Sequence, residues 1–119
     1  MAKKFELLSG SYHEVKAVAG GTLAAGDFVS QQEIDGFTLV DAVATDEIAL
    51  IVKAEKVKVE KDAGTAWVAG DALYWDAVGE NVTTVLTSNT LIGFAYEAAD
   101  SAAVVGYMTF DGSLAFAKA

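Results

Sequence analysis

The sequence predicts an all-β fold: a small closed or nearly closed β-barrel or sandwich, built from two similar turn-strand units and preceded by an extended N-terminal arm. Three observations carry this. The phrase Ala24-Ala25-Gly26-Asp27-Phe28-Val29 returns as Val68-Ala69-Gly70-Asp71-Ala72-Leu73-Tyr74-Trp75. Each copy is followed by a Gly-Phe pair, Gly36-Phe37 and then Gly93-Phe94, and after that by an apolar run, residues 48–52 and then 103–108. Turn signals divide the chain into about nine to eleven short stretches of strand character, and no convincing amphipathic helix is longer than a single turn.

Taken in order, residues 1–10 read as the arm and residues 11–119 as a single β domain. The arm places Ala2, Lys3 and Lys4 ahead of Phe5, Leu7 and Leu8, and runs into the turn Ser9-Gly10-Ser11. Residues 12–19 alternate Val15, Ala17 and Ala19 against Glu14 and Lys16, as a strand does, and Gly20-Gly21 ends them. A helix there would lose about 1 kcal/mol per glycine. In the first unit Gly26-Asp27 reads as a turn, 28–31 as a strand, Asp35-Gly36 as a hairpin-type turn and 37–43 as the returning strand. Residues 47–53 are apolar on both faces, which suits a strand covered on both sides. Residues 55–61 then alternate Val57 and Val59 against Lys56, Lys58 and Glu60, a pattern that discourages unwanted edge pairing.

Between the units, residues 63–69 have room for one helical turn around Trp67. The second unit is expected to place strands at 73–76, 82–87, 91–97 and 102–110, with a turn at Gly79-Glu80-Asn81. Asp111-Gly112 ends the last strand and leaves a short tail with Leu114 and Phe116. Proline is absent, so the 11 glycines do most of the punctuating.

Composition bounds the function. A chain of 119 residues is one domain by length, and hides roughly two-thirds of its unfolded surface without a staple. It has no cysteine. Seventeen acidic residues face eight lysines and no arginine, for a net charge of −9. Phosphate neutralisation and bidentate base contacts need the opposite balance, so the sequence argues against binding nucleic acid. No window approaches the ~20 apolar residues of a membrane span. The basic start is interrupted by Glu6 before any signal-like apolar stretch develops. The expectation is a soluble protein made in the cytosol, with neither a membrane nor a nucleic acid as partner.

Catalytic constellations are missing. His13 is the only histidine, which rules out a single-chain metal site built on two or three imidazoles. No Gly-x-Ser-x-Gly elbow, Gly-x-Gly-x-x-Gly turn or phosphate loop is present. The carboxylate pairs (Asp46 with Glu47, Asp27 with Asp71, Asp76 with Glu80) have a plainer reading, because an Asp following Gly in a turn caps that turn. A hydrolase using Asp27, Asp71 and His13 is the weakest reading. No catalytic, metal or cofactor-binding residue is assigned, and no cofactor is expected. Trp67, Tyr74 and Trp75 form an aromatic cluster that serves either the core or a subunit interface. Tyr74 and Trp75 should point to opposite faces of their strand.

The stretch from Asp62 through Trp67 and Gly70-Asp71-Ala72-Leu73-Tyr74-Trp75-Asp76, followed by Val82-Thr83-Thr84 and Asn89-Thr90-Leu91-Ile92-Gly93, resembles the tailed-phage capsid cement (decoration) proteins of the DUF2190 group. The likeness covers most of the chain and departs at residues 33–61, a connection longer than the family's usual form. It implies an all-β structural protein of the virion, not an enzyme. Such a protein binds the outer surface of the assembled head and bridges major capsid subunits, often as a homotrimer. On this reading Ala2, Lys3, Lys4, Phe5, Leu7 and Leu8 form the capsid interface, by adding a strand to an exposed edge of the major capsid protein. The alternative is a virion or tail β-barrel module whose Trp67, Tyr74 and Trp75 stack on host-surface glycans.

Overall fold

The computed structural model describes residues 5–31 and 34–112. Eight strands make up the fold: β1 (Phe5–Val18), β2 (Phe28–Gln31), β3 (Ile34–Thr38), β4 (Glu47–Glu60), β5 (Ala72–Asp76), β6 (Asn81–Thr83), β7 (Thr90–Ala95) and β8 (Val105–Asp111). They form one sheet in the order β2-β3-β4-β8-β7-β5-β6, with β1 added along β4. The sheet curls into a half-barrel. A parallel bridge from Lys61 to Val82 draws β6 back toward the end of β4. No helix occurs among the described residues, and none is therefore long and apolar enough to cross a membrane.

The repeated phrase is a repeated structure. Phe28↔Phe37 and Val29↔Gly36 in the β2–β3 pair have their counterparts in Ala72↔Phe94 and Leu73↔Gly93 in the β5–β7 pair. Gly26 N donates to Thr38 O at 2.7 Å and Thr38 N to Asp27 O at 3.1 Å. In the second unit Gly70 N donates to Ala95 O and Ala95 N to Asp71 O, both at 2.9 Å. β4 belongs to both units, since it closes the first against β3 and opens the second against β8.

Several boundaries differ from the sequence expectation, each for a local reason. The β2–β3 pair reaches Gln31↔Ile34, so Asp35-Gly36 lies within a paired strand and is not the hairpin turn. Gly36 is a strand residue because a Cβ there would sit 2.5 Å from Ile51 O and 2.7 Å from Leu50 Cγ. Its absence lets β3 close on β4. The two strands expected over 47–53 and 55–61 are one unbroken β4, with fully buried Ala54 between them. The strands expected over 37–43 and 82–87 stop early, at Thr38 and Thr83. In both places a buried threonine hydroxyl accepts the amide two residues on, from Val40 N at 3.3 Å and from Val85 N at 3.2 Å. That bond replaces a ladder bond with a turn. Trp67 sits in an extended bridge with Ala99 and not in a helical turn.

The main core lies inside the curl and includes Phe5, Phe37, Val57, Trp67, Trp75 and Phe110. A smaller cluster of Ala17, Ala19, Ala42, Ile48 and Leu50 packs on the other face of β4's first half. That half is therefore covered on both sides, as its double apolar pattern predicts. Phe5 joins the two units: it stacks on Phe37 at 5.2 Å and meets Phe110 edge-on at 5.4 Å and Trp75 at 5.5 Å. Phe28 stacks on Trp75 at 4.6 Å.

Candidate interaction surface

The strand β1 pairs with β4 from Phe5↔Val59 to Val18↔Glu47. Its other edge pairs with no strand among the described residues; there Phe5 N donates to Gly26 O at 3.0 Å. Three irregularities interrupt the register, between Leu7 and Ser9, Ser9 and Tyr12, and His13 and Glu14. Bulges of this kind twist an edge and restrict what can pair with it.

The expected arm divides accordingly. Ala2, Lys3 and Lys4 lie outside the described residues. Phe5 is fully buried in the chain's own core, so it is no free anchor, and the strand begins where an arm was expected to continue. Leu7 packs partly against that core. Leu8 is exposed, as are Tyr12 and His13 farther along the strand. The sequence carried a signal for Phe5: with Leu7 it continues the strand-type alternation upstream, but the adjacent lysines made the segment look like a tail.

The aromatic triplet separates by pleat. Trp67 and Trp75 are buried in the main core and Tyr74 points to the outer face. Two of the three rings are thus withdrawn from any sugar-stacking role at the surface. Trp67 lies under the buried Lys61 ammonium, which is 5.7 Å from the ring centroid and donates to Asp62 O at 2.8 Å and Ala103 O at 3.3 Å. The indole Nε1 has no hydrogen-bond partner. Nothing in the sequence marked Lys61 as the buried lysine among its neighbours.

The outer face across β4, β8, β7 and β5 has an unexpected character for so acidic a chain. Lys56 Nζ sits 4.9 Å from the Tyr96 ring centroid and 5.2 Å from that of Tyr107, a favourable cation–π geometry. Lys58 is the next outward residue on β4 and pairs with Tyr107. Beside them lies a groove of about 550 Å³ lined by Tyr74, Leu86, Leu91 and Phe94 among others. Sequence reasoning missed this face because its residues come from four separate strands.

The carboxylates in the repeated turns are engaged structurally. Asp27 Oδ2 accepts Ala24 N at 2.9 Å and Asp71 Oδ2 accepts Val68 N at 2.8 Å. Asp46 Oδ2 does the same for Val43 N at 3.0 Å, which reveals a third copy of the turn that the sequence hides. Gly26 and Gly70 hold the left-handed position of their turns, at φ 91° and 92°, and Thr45 holds it in the third at 75°. Asp35 is buried beside Ser30, whose hydroxyl donates to it at 2.7 Å. Burial raises its carboxyl above the usual carboxylate range, and the Ser30 bond opposes that rise. Among the described residues no group of three or more His, Cys, Asp or Glu is placed to hold a metal ion.

No curated protein matches the chain in sequence. The family model described as phage cement protein matches residues 9–110, which takes in both units and nearly all of the described sheet. This chain therefore belongs to the phage cement protein family.

Proposed function

We propose that the chain, whose family carries a structural, capsid-stabilising role, works by adhesion alone. It binds the outer surface of the expanded head as a homotrimer and bridges neighbouring major capsid subunits, without turning over any substrate. The observation that supports this best is the edge of β1, a 14-residue strand that among the described residues pairs only with β4. A strand of the major capsid protein adding to that edge gains main-chain hydrogen bonds, with specificity from the exposed side chains. Leu8 is the outward anchor, and Ala2, Lys3 and Lys4, which lie outside the described residues, are the remaining candidates for that contact in the sequence. Three linked copies multiply weak contacts into tight attachment. Binding that requires the assembled lattice then stabilises that lattice by mass action.

The test is co-sedimentation with expanded heads. A chain lacking residues 2–4 and carrying Leu8→Asp keeps Phe5 and is expected to fold, yet to lose most of its occupancy. Full occupancy by this variant removes the β1 edge from the mechanism. Truncation through Phe5 would not be informative, because it takes away part of the core.

A further inference from the structure

We propose that two surfaces at opposite ends of β4 fit one another, so that copies of this chain associate head to tail. The Leu39-Val40-Asp41 turn of one copy seats in the outer groove and lysine–tyrosine face of the next. The proposal deepens the homotrimer reading above and rests on it for the number of copies in the ring.

The turn is built to present apolar groups. Thr38 is fully buried, and its hydroxyl both accepts Val40 N at 3.3 Å and donates to Val40 O at 3.0 Å. Asp41 is held from the other side, its Oδ1 accepting Ala25 N at 2.8 Å. Leu39 and Val40 are nonetheless 41% and 51% exposed, and Val43 beside them 58%. A turn pinned at both ends that offers aliphatic side chains to water has already met much of the ordering cost of binding. Asp41 and Asp46 make its surroundings acidic, while Glu47 beyond them is paired with Lys16 at 3.5 Å.

The receiving face is the complement in shape and charge. The groove is concave and largely apolar, and Phe94 at its rim is 44% exposed. Phe94 pairs with Thr109 on β8, and Tyr96 N donates to Tyr107 O at 2.9 Å. The groove therefore continues directly into the Lys56–Tyr96–Tyr107 cluster and Lys58. In a chain of net charge −9, copies approaching at random repel each other. The approach of acidic turn to lysine-bearing face is one in which charge favours contact.

The two surfaces do not meet within one chain. Glu47 and Lys56 are nine residues apart on β4, roughly 30 Å at ~3.3 Å per residue. Contacts between unlike patches are heterologous, and a heterologous contact either closes into a ring or runs on as a filament.

The absence of cysteine makes the test clean. Val40→Cys and Phe94→Cys are made as separate single variants, both at exposed positions, with folding checked by circular dichroism. They are mixed in equal amounts under mild oxidation, in solution and on expanded heads. The mixed disulfide is expected to exceed either symmetric disulfide about tenfold, since docking raises the effective concentration of unlike thiols only. A chain carrying both cysteines should yield a covalent species of three chain masses on a non-reducing gel. Lys56→Glu with Lys58→Glu should abolish the crosslink while circular dichroism shows the chain still folded, at a melting temperature lowered only modestly by the loss of the Lys56 ring contacts.

A dominant Phe94→Cys homodisulfide would mean a face-to-face interface and overturn the proposal. So would the absence of a mixed disulfide both in solution and on heads. Head occupancy of the same variants is read separately by co-sedimentation. Loss of occupancy with the crosslink intact counts against capsid binding, not against this interface.

Discussion

Thr45 occupies a backbone position that its counterparts in the repeated turns fill with glycine. At φ 75° its β-branched side chain crowds the preceding carbonyl, which costs roughly 1–2 kcal/mol. Replacement by glycine relieves this but adds unfolded-state freedom, so Thr45→Gly is expected to gain up to about 1 kcal/mol. Thermal unfolding by circular dichroism checks it, and a lower melting temperature would count against the strain. Asp35 gives a second residue-scale prediction. Its carboxyl titrates higher in the folded chain than in the unfolded one because it is buried. The folded state thus holds the proton to higher pH, and stability is lost as pH rises from the unfolded value through the folded one. At neutral pH the buried charge is a standing cost. Asp35→Asn keeps the Ser30 bond and removes that charge, so it is expected to raise stability at pH 7 and flatten this part of the profile. Urea titrations between pH 3 and 7 check both. The Gly-Asp turns were legible in sequence because Gly26 and Gly70 repeat openly. The third turn was not, because Thr45 gives no hint of a left-handed backbone.

Among the elements, β1 separates two roles that lie three residues apart. Phe5 touches Phe37, Trp75 and Phe110, so Phe5→Ala should cost about 3–5 kcal/mol. Leu8→Asp, on the exposed side, should change stability by less than about 0.5 kcal/mol while weakening head binding. Chemical denaturation paired with co-sedimentation reads the two effects independently. If Leu8→Asp unfolds the chain, the outward placement of Leu8 is wrong. Element identity was largely legible: residues 28–31 form a strand as expected, and the last strand lies within the expected one apart from Asp111. What was not legible depends on contacts distant in sequence. Asp35-Gly36 has the composition of a hairpin turn, and only the approach of β4 explains a strand glycine there. The length of β4 was hidden because its first half is covered on both faces and its second half on one, so a single strand shows two periodicities.

At the scale of the whole molecule, the two units resemble each other but do not stand alone. β4 is common to both, and the Phe5 cluster draws Phe28 and Phe37 of one unit against Trp75 of the other. One cooperative transition is expected. Tryptophan fluorescence reports the second unit and its seam with the first, since Trp67 and Trp75 are the only tryptophans and Phe28 stacks on Trp75. Far-ultraviolet circular dichroism reports both units. The two midpoints should coincide in urea, and a separation between them would show that the units unfold independently. The all-β class and internal repetition were evident in the chain itself. The lysine–tyrosine face was not, because Lys56, Tyr74, Phe94 and Tyr107 meet only once the sheet order β4-β8-β7-β5 is known.

The unbroken run of β4 has a mechanical consequence. Under the proposed bridging of capsid subunits, a shell that strains outward would pull the chain lengthwise, and here a single backbone leads from the turn before Glu47 to Glu60 with β1 laid antiparallel beside it. Tension along that axis loads the β1–β4 ladder in shear, so its bonds must yield together and cannot peel one by one. The molecule should therefore resist stretching along β4 far more stiffly than prying across it.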